Sequence, residues 1–461
     1  MNVLRNDILH LDVRKLQTLL DTTKVKCIQL VDLYLDQIHR HDGYLHGMLS
    51  MPSRDALQRI AAVLDEERTA GKVRSKLHGI PVIFKDNINT LPDLGMRSAS
   101  SSFALKDARP RQNAKLVDKR GASSQWMVSN GRSVPAYVRG GLLSNDSKDG
   151  NSSPSGSSTG PAVVVSAGYA PLSVSTETDG SLVCPAGRAS VYTIKPSIGV
   201  ISQHGLIPVS HTVDSAGPMG KTPYDVAAFL DILRKVDASG YPTDGYTGVL
   251  DGSIADFSVA AVNYKDWIFP PKYVAPIESA TDEMNRKFQD AYDILKVKVR
   301  EFHENVPLPK PEAANLNGKN CKPMIMLTDF RHDFPAYLDE LEFAPVNSLQ
   351  ELIHFNREHA EIELPAEQAE ELNLTTAEFQ RYLSKMREVC WKQGIDYILD
   401  KYNVDVIIGP ADSTLSTIAS RNGYPIAAMP LGFLDINGRA FGMVAMARKY
   451  QESTILKFLA V

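Results

Sequence analysis

The chain has 461 residues, of which 43% are apolar and 23% charged, and a formal net charge of −4. That composition excludes disorder as the main state, and so small a net charge on scattered lysines and arginines argues against nucleic acid as the partner. The four cysteines, Cys27, Cys184, Cys321 and Cys390, lie far apart with no Cys-x-x-Cys pair, which argues against a structural zinc site or a disulfide framework.

The N-terminus carries no apolar stretch of signal-peptide length, and no window reaches the roughly 18 apolar residues of a membrane span. The sequons at Asn145, Asn151 and Asn373 are then chance matches, and the expected location is cytoplasmic. The first 70 residues read as helix. Thr22 and Thr23 offer a cap before Cys27, Ile28, Val31, Leu35 and Ile38, which share one face, and a second helix covers about Ser53 to Gly71. The period then changes: Gly79 to Phe84 is a short, β-branched apolar run that predicts a buried strand, with Lys85, Asp86 and Asn87 directly after it. Residues 93–160 are the most irregular part, and their Ser/Gly density reads on composition alone as a flexible linker.

Pro161 to Gly168 suits a tightly packed helix or strand. Leu172 to Thr176, Tyr192 to Pro196 and Ile198 to Ser202 predict further short strands. Residues 225–400 are more helical and more charged, with a capping box at Thr375 and Glu378 ahead of Phe379, Leu383, Met386 and Cys390. Val404 to Pro410, Pro425 to Leu431 and Phe441 to Met446 predict closing strands. Short strands alternating with helices indicate an α/β fold with a large mixed, mostly parallel central sheet covered by helices on both sides.

Three elements carry chemistry. A lysine at the end of a buried strand, Lys85, is deprived of water, so its ammonium is disfavoured and a neutral amine becomes available as a base. Ser157 lies in the loop Ser155-Gly-Ser-Ser-Thr-Gly160. Ser181 follows a strand-to-turn junction, Thr176-Glu-Thr-Asp-Gly-Ser181, where Gly180 permits close backbone approach and neighbouring amides can converge on an oxyanion. Each element alone has a plain structural reading, a solvated lysine or a polar turn.

Together, G-I-P-V-I-F-K-D-N around Lys85, S-G-S-S-T-G around Ser157 and T-E-T-D-G-S ending at Ser181 resemble the amidase-signature family. The likeness continues through C-P-A-G-R-A-S-V-Y-T-I-K-P-S-I-G, G-L-I-P-V-S-H-T-V-D-S-A-G-P-M, N-V-D-V-I-I-G-P and N-G-Y-P-I-A-A-M-P-L-G-F, and so spans most of the chain. It is similar in particular to the fungal and peptide-amide branch. The resemblance implies one domain over residues 1–461, with a motif-bearing core at 79–220, a helical pocket-forming region at 225–400 and closing strands at 404–461.

It also implies hydrolysis of the C–N bond of a small to medium linear, non-peptide carboxamide, with no cofactor and no metal. Ser181 would be the nucleophile. Ser157, on a cis peptide bond, would relay its proton to Lys85. The amides of Thr178, Asp179, Gly180 and Ser181 would form the oxyanion hole, one such donor being worth about 3 kcal/mol in the transition state. Asp214 reads as a turn support, since a lysine relay needs no carboxylate to orient an imidazole. The partner expected is a small-molecule amide, and a homodimer stays open. The competing readings are an impaired homologue acting as a binding protein and an amidotransferase-type subunit. Residues 115–151 depart from the family: the apolar strand usual there is largely missing, Ser129-Asn130 retain only its end, and Thr159 and Pro161 replace glycine or serine. This predicts an altered pocket wall.

Overall fold

The computed structural model describes residues 7–117, 124–128 (backbone), 133–144, 146, 150–271, 273–363 and 374–461. The sequon residues Asn145 and Asn373 and the pair Ser129-Asn130 lie outside the described residues.

The chain opens with three helices, α1 (Val13–Asp21), α2 (Cys27–Leu45) and α3 (Arg54–Thr69). Side-chain oxygens supply the first-turn acceptors that helix amides lack: Asp12 Oδ1 accepts from the Lys15 amide at 2.8 Å, and Ser53 Oγ accepts from Ala56 at 3.2 Å. The predicted cap of α2 is corrected. The Thr22 amide closes α1 onto the Thr18 carbonyl, and Thr23 turns away with φ 52°. The acceptors for α2 come from α3 instead, where the Asp65 carboxylate takes the Cys27 and Ile28 amides at 2.7 and 3.3 Å. The expected face of α2 is buried at Cys27, Val31, Leu35 and Ile38, while Ile28 is only half-buried and Leu30 joins the face in its place.

Ten strands among the described residues form the central sheet. In chain order they are β1 (Pro81–Lys85), β2 (Ser124–Val128), β3 (Leu172–Glu177), β4 (Tyr192–Lys195), β5 (Ser215–Gly220), β6 (Ser258–Ala261), β7 (Glu301–His303), β8 (Val406–Pro410), β9 (Ile426–Phe433) and β10 (Ala440–Met446). In space they run β2-β1-β3-β5-β4-β9-β10-β8-β6-β7. The sheet is mixed, as expected, but it is not mostly parallel: the parallel pairings are confined to the flanks, β2-β1-β3 on one side and β8-β6-β7 on the other. The ladders between β3 and β8 are antiparallel. Every residue of β1, β3, β5, β6, β8 and β10 is buried. Successive side chains point to opposite faces, so both faces of the sheet are covered.

The remaining helices are α4 (Thr159–Ser166), α5 (Val183–Arg188), α6 (Pro223–Leu233), α7 (Glu278–Lys298), α8 (Cys321–Asp339), α9 (Leu349–Glu358), α10 (Thr376–Arg387), α11 (Ile395–Lys401), α12 (Leu415–Arg421) and α13 (Glu452–Ala460). The capping box of α10 forms as read: the Glu378 amide donates to Thr375 Oγ1 at 3.3 Å and the Thr375 amide donates to Glu378 Oε2 at 2.9 Å.

Two strand expectations are corrected. Ile198–Ser202 is a turn in which Ile201 alone bridges Arg234, because Pro196 lacks a ladder donor and Gly199 sits at φ 99°. The strand thought missing from residues 115–151 is present as β2, parallel to β1 with Pro81 opposite Ser124 and Lys85 opposite Val128. Backbone pairing with β1 specifies β2, so it needs no continuous apolar run. The linker reading of 93–160 also yields, since this stretch holds β2 and two short 3₁₀ turns, Pro92–Leu94 and Phe103–Leu105.

Candidate active site

Neighbouring parallel strands end on the same edge of a sheet, so β1 and β3 deliver Lys85 and the Thr176–Ser181 turn side by side. Ser157 arrives from the loop before α4, through a cis Gly156–Ser157 peptide bond. Lys85 is 2% exposed. Its Nζ lies 2.7 Å from Ser157 Oγ, 3.2 Å from Ser158 Oγ and 3.2 Å from Thr176 Oγ1. Burial pushes its pKa from 10.5 down to about 8, with Asp86, Asp214 and Glu177 acting the other way.

Three partners of Lys85 and its neighbours were not singled out from sequence. Ser158 Oγ donates to the Thr176 carbonyl at 2.9 Å, and Asn87 Nδ2 donates to Thr176 Oγ1 at 2.9 Å. A serine and a threonine adjoining the motif residues were the available signal, but a hydroxyl in a polar turn is commonplace.

Ser181 joins this group through its backbone: its carbonyl accepts from the Ser158 amide at 3.2 Å. Its side chain makes no hydrogen bond to Ser157 among the described residues. Behind it, buried Glu177 takes the Leu182 and Val183 amides on one carboxylate oxygen at 2.8 and 3.1 Å, fixing the start of α5.

The turn itself is held on two sides. Thr178 Oγ1 donates to Asp214 Oδ1 at 2.6 Å, while the other Asp214 oxygen accepts from the Val209 and Ser210 amides at 2.8 Å each. Asp214 therefore meets a threonine and two amides, not an imidazole. On the other side Asp179 forms an ion pair with Lys322 of α8. Gly180 adopts φ 82°, and a Cβ there would lie 2.9 Å from Ser416 Oγ.

A buried charge cluster braces the two serine loops. Arg188, at the end of α5, donates to the Gly150 and Ser153 carbonyls at 2.9 and 3.0 Å and binds Asp412 through Nε at 2.8 Å; Arg439 reaches the same carboxylate at 2.6 Å. Burial alone would raise Asp412, but the two guanidiniums outweigh it and hold its pKa below the ordinary value. Beside this cluster lies a cavity of about 200 Å³ whose walls include Tyr264, Phe269, Met284, Phe288 and Phe441, with Asn151, Asp412 and Arg439 closing its polar end.

A family model described as "Amidase" matches residues 29–417. A probable amidase of Arabidopsis thaliana is 29% identical over 449 residues, covering 93% of this chain and 85% of the relative. A putative amidase of Schizosaccharomyces pombe is 26% identical over 493 residues, covering 97% and 83%. Among solved structures, the native peptide amidase from Stenotrophomonas maltophilia superposes with a TM-score of 0.80 at 27% identity, covering 97% of this chain and 95% of the other.

Proposed function

The chain belongs to the amidase family and hydrolyses carboxamide C–N bonds, and from that premise we propose that it does so through an acyl-enzyme on Ser181. The observation that carries this reading is a buried lysine, depressed in pKa, 2.7 Å from the Ser157 hydroxyl. Neutral Lys85 takes a proton from Ser157 as Ser157 takes one from Ser181, and Ser181 Oγ bonds to the amide carbon. The amides of Thr178, Asp179, Gly180 and Ser181 receive the oxyanion. As the C–N bond breaks, Lys85 returns the proton through Ser157 to the leaving amine. Water then attacks the ester by the same relay, releasing the acid and free Ser181. Every proton is returned, so the cycle consumes only amide and water.

The substrate in this reading is a small to medium linear carboxamide outside a peptide backbone. Likeness to a peptide amidase brings peptide amides into the same range. Among the described residues no helix is long and apolar enough to cross a membrane.

The test is covalent labelling with a fluorophosphonate probe, comparing wild type with Ser181→Ala and Lys85→Ala, followed by turnover of an amide panel. Labelling lost in the first variant and steeply reduced in the second is the expected result. A folded wild type that neither labels nor turns over any amide would favour the second reading, an impaired homologue, for which the missing Ser181–Ser157 hydrogen bond speaks.

A further inference from the structure

Helix α8 contacts three segments around the proposed site through one stripe of four side chains. Lys322 pairs with Asp179, Asp329 accepts from Ser210 Oγ at 2.5 Å, Asp333 accepts from the His211 amide at 2.8 Å, and Tyr337 OH donates to Asn89 Oδ1 at 2.9 Å. The intervals of seven, four and four residues put all four on one helix face. The last three anchors fix the helix against the Gly205–Asp214 loop and the segment after Lys85, so Lys322 is presented to Asp179 from a rigid base. Asn320 adds to this: its Oδ1 accepts from the Lys322 amide at 3.1 Å and from Arg421 Nη2 at 3.2 Å.

Lys322 is 7% exposed and has Glu177, Arg421 and Asp179 around it. Burial, with Arg421 adding to it, pushes its pKa from 10.5 down to about 7 against the pull of Glu177, and the acidic group in contact with its ammonium is Asp179. The other carboxylate oxygen of Asp179 is buried with no hydrogen bond among the described residues. Lys322 is thus what holds this side chain. Asp179 lies within the turn whose amides would face the oxyanion, and a carboxylate left unpaired there would both loosen the turn and repel the developing negative charge.

We propose that Lys322 is a positioning residue of the reaction: it neutralises Asp179 and thereby fixes the orientation of the Thr178–Ser181 turn. This inference rests on the acyl-enzyme reading of Ser181. A salt link from α8 clamps one end of the turn while Asp214 clamps the other.

The experiment compares wild type, Lys322→Met, Lys322→Arg, Asp179→Asn and the double variant Lys322→Met/Asp179→Asn. Each is measured by the rate of fluorophosphonate labelling at Ser181, by kcat and KM on an amide turned over by wild type, and by thermal unfolding. Lys322→Met is expected to lower the labelling rate and kcat at least tenfold with KM within about threefold. Lys322→Arg restores most of the loss, and so does the double variant, since it removes the unpaired carboxylate. That recovery is a result that a merely structural role for Lys322 would not produce. Labelling of Lys322→Met within twofold of wild type overturns the inference, as does a double variant no faster than Lys322→Met. Amide turnover by a wild type that does not label would instead remove Ser181 as the nucleophile, and the inference with it.

Discussion

Replacing Lys85 by methionine is expected to silence Ser181 while leaving the protein about as stable as wild type at neutral pH. The folded-state pKa is about 8 against an ordinary 10.5. At about 1.4 kcal/mol per unit, holding this ammonium in the fold costs about 3 kcal/mol wherever both states are protonated, that is, below about pH 8. Between about pH 8 and 10.5 the unfolded chain binds one proton more than the folded chain, so stability rises with pH by about 1.4 kcal/mol per unit until the cost is gone. Methionine keeps the apolar stem and removes the charge. It forfeits the contacts to Ser157, Ser158 and Thr176, but Ser158 retains the Thr176 carbonyl and Thr176 retains Asn87. With those three losses at about 1 kcal/mol each, the variant should about break even at pH 7. Wild type should then recover about 3 kcal/mol relative to the variant by pH 10.5. Urea unfolding of both proteins across that range measures the difference and cancels the other titrating groups. The labelling rate of wild type should follow the neutral amine: about a tenth of maximum at pH 7, half at pH 8 and level above pH 9. A rate still climbing tenfold per unit to pH 10 would refute the buried-base argument. So would a pH-independent loss of several kcal/mol in the methionine variant.

Three further perturbations test the scaffold of the site. Asp412→Asn leaves two buried guanidiniums facing a neutral amide and should cost about 3–5 kcal/mol in denaturant unfolding, a loss under 1 kcal/mol contradicting the account. Asp214→Ala strips the acceptor from Thr178, Val209 and Ser210, and labelling at Ser181 should slow by about tenfold or more with the fold retained by circular dichroism. Gly180→Ala imposes a Cβ on φ 82° and against Ser416 Oγ, so a cost of at least about 1–2 kcal/mol and slowed labelling are expected; a variant that labels and unfolds like wild type would show that the turn can relax.

What the amino-acid sequence determined by itself was whatever is encoded between near neighbours. The β-branched run before Lys85 specifies β1, the run Leu172 to Thr176 specifies β3, and Thr375 with Glu378 specifies the start of α10, because strand alternation and capping hydrogen bonds involve residues a few positions apart. The motif strings likewise singled out Lys85, Ser157 and Ser181, and the structure brings Lys85 to Ser157. Tertiary structure decided the rest. Thr22 and Thr23 lost the α2 cap to Asp65, a residue on another helix. The stretch around β2 looked too polar for a strand because the partner that specifies it is β1, not its own composition. The sequence also carried no sign that β9 and β10, from the end of the chain, would enter the sheet beside β4 and make its centre antiparallel. Lys322, 143 positions from Asp179, and Arg188, 224 from Asp412, read as ordinary charges in the sequence. Burial gives such residues their consequence: a charge in water is nearly free, and the same charge out of water must be matched, and only the folded chain determines by what.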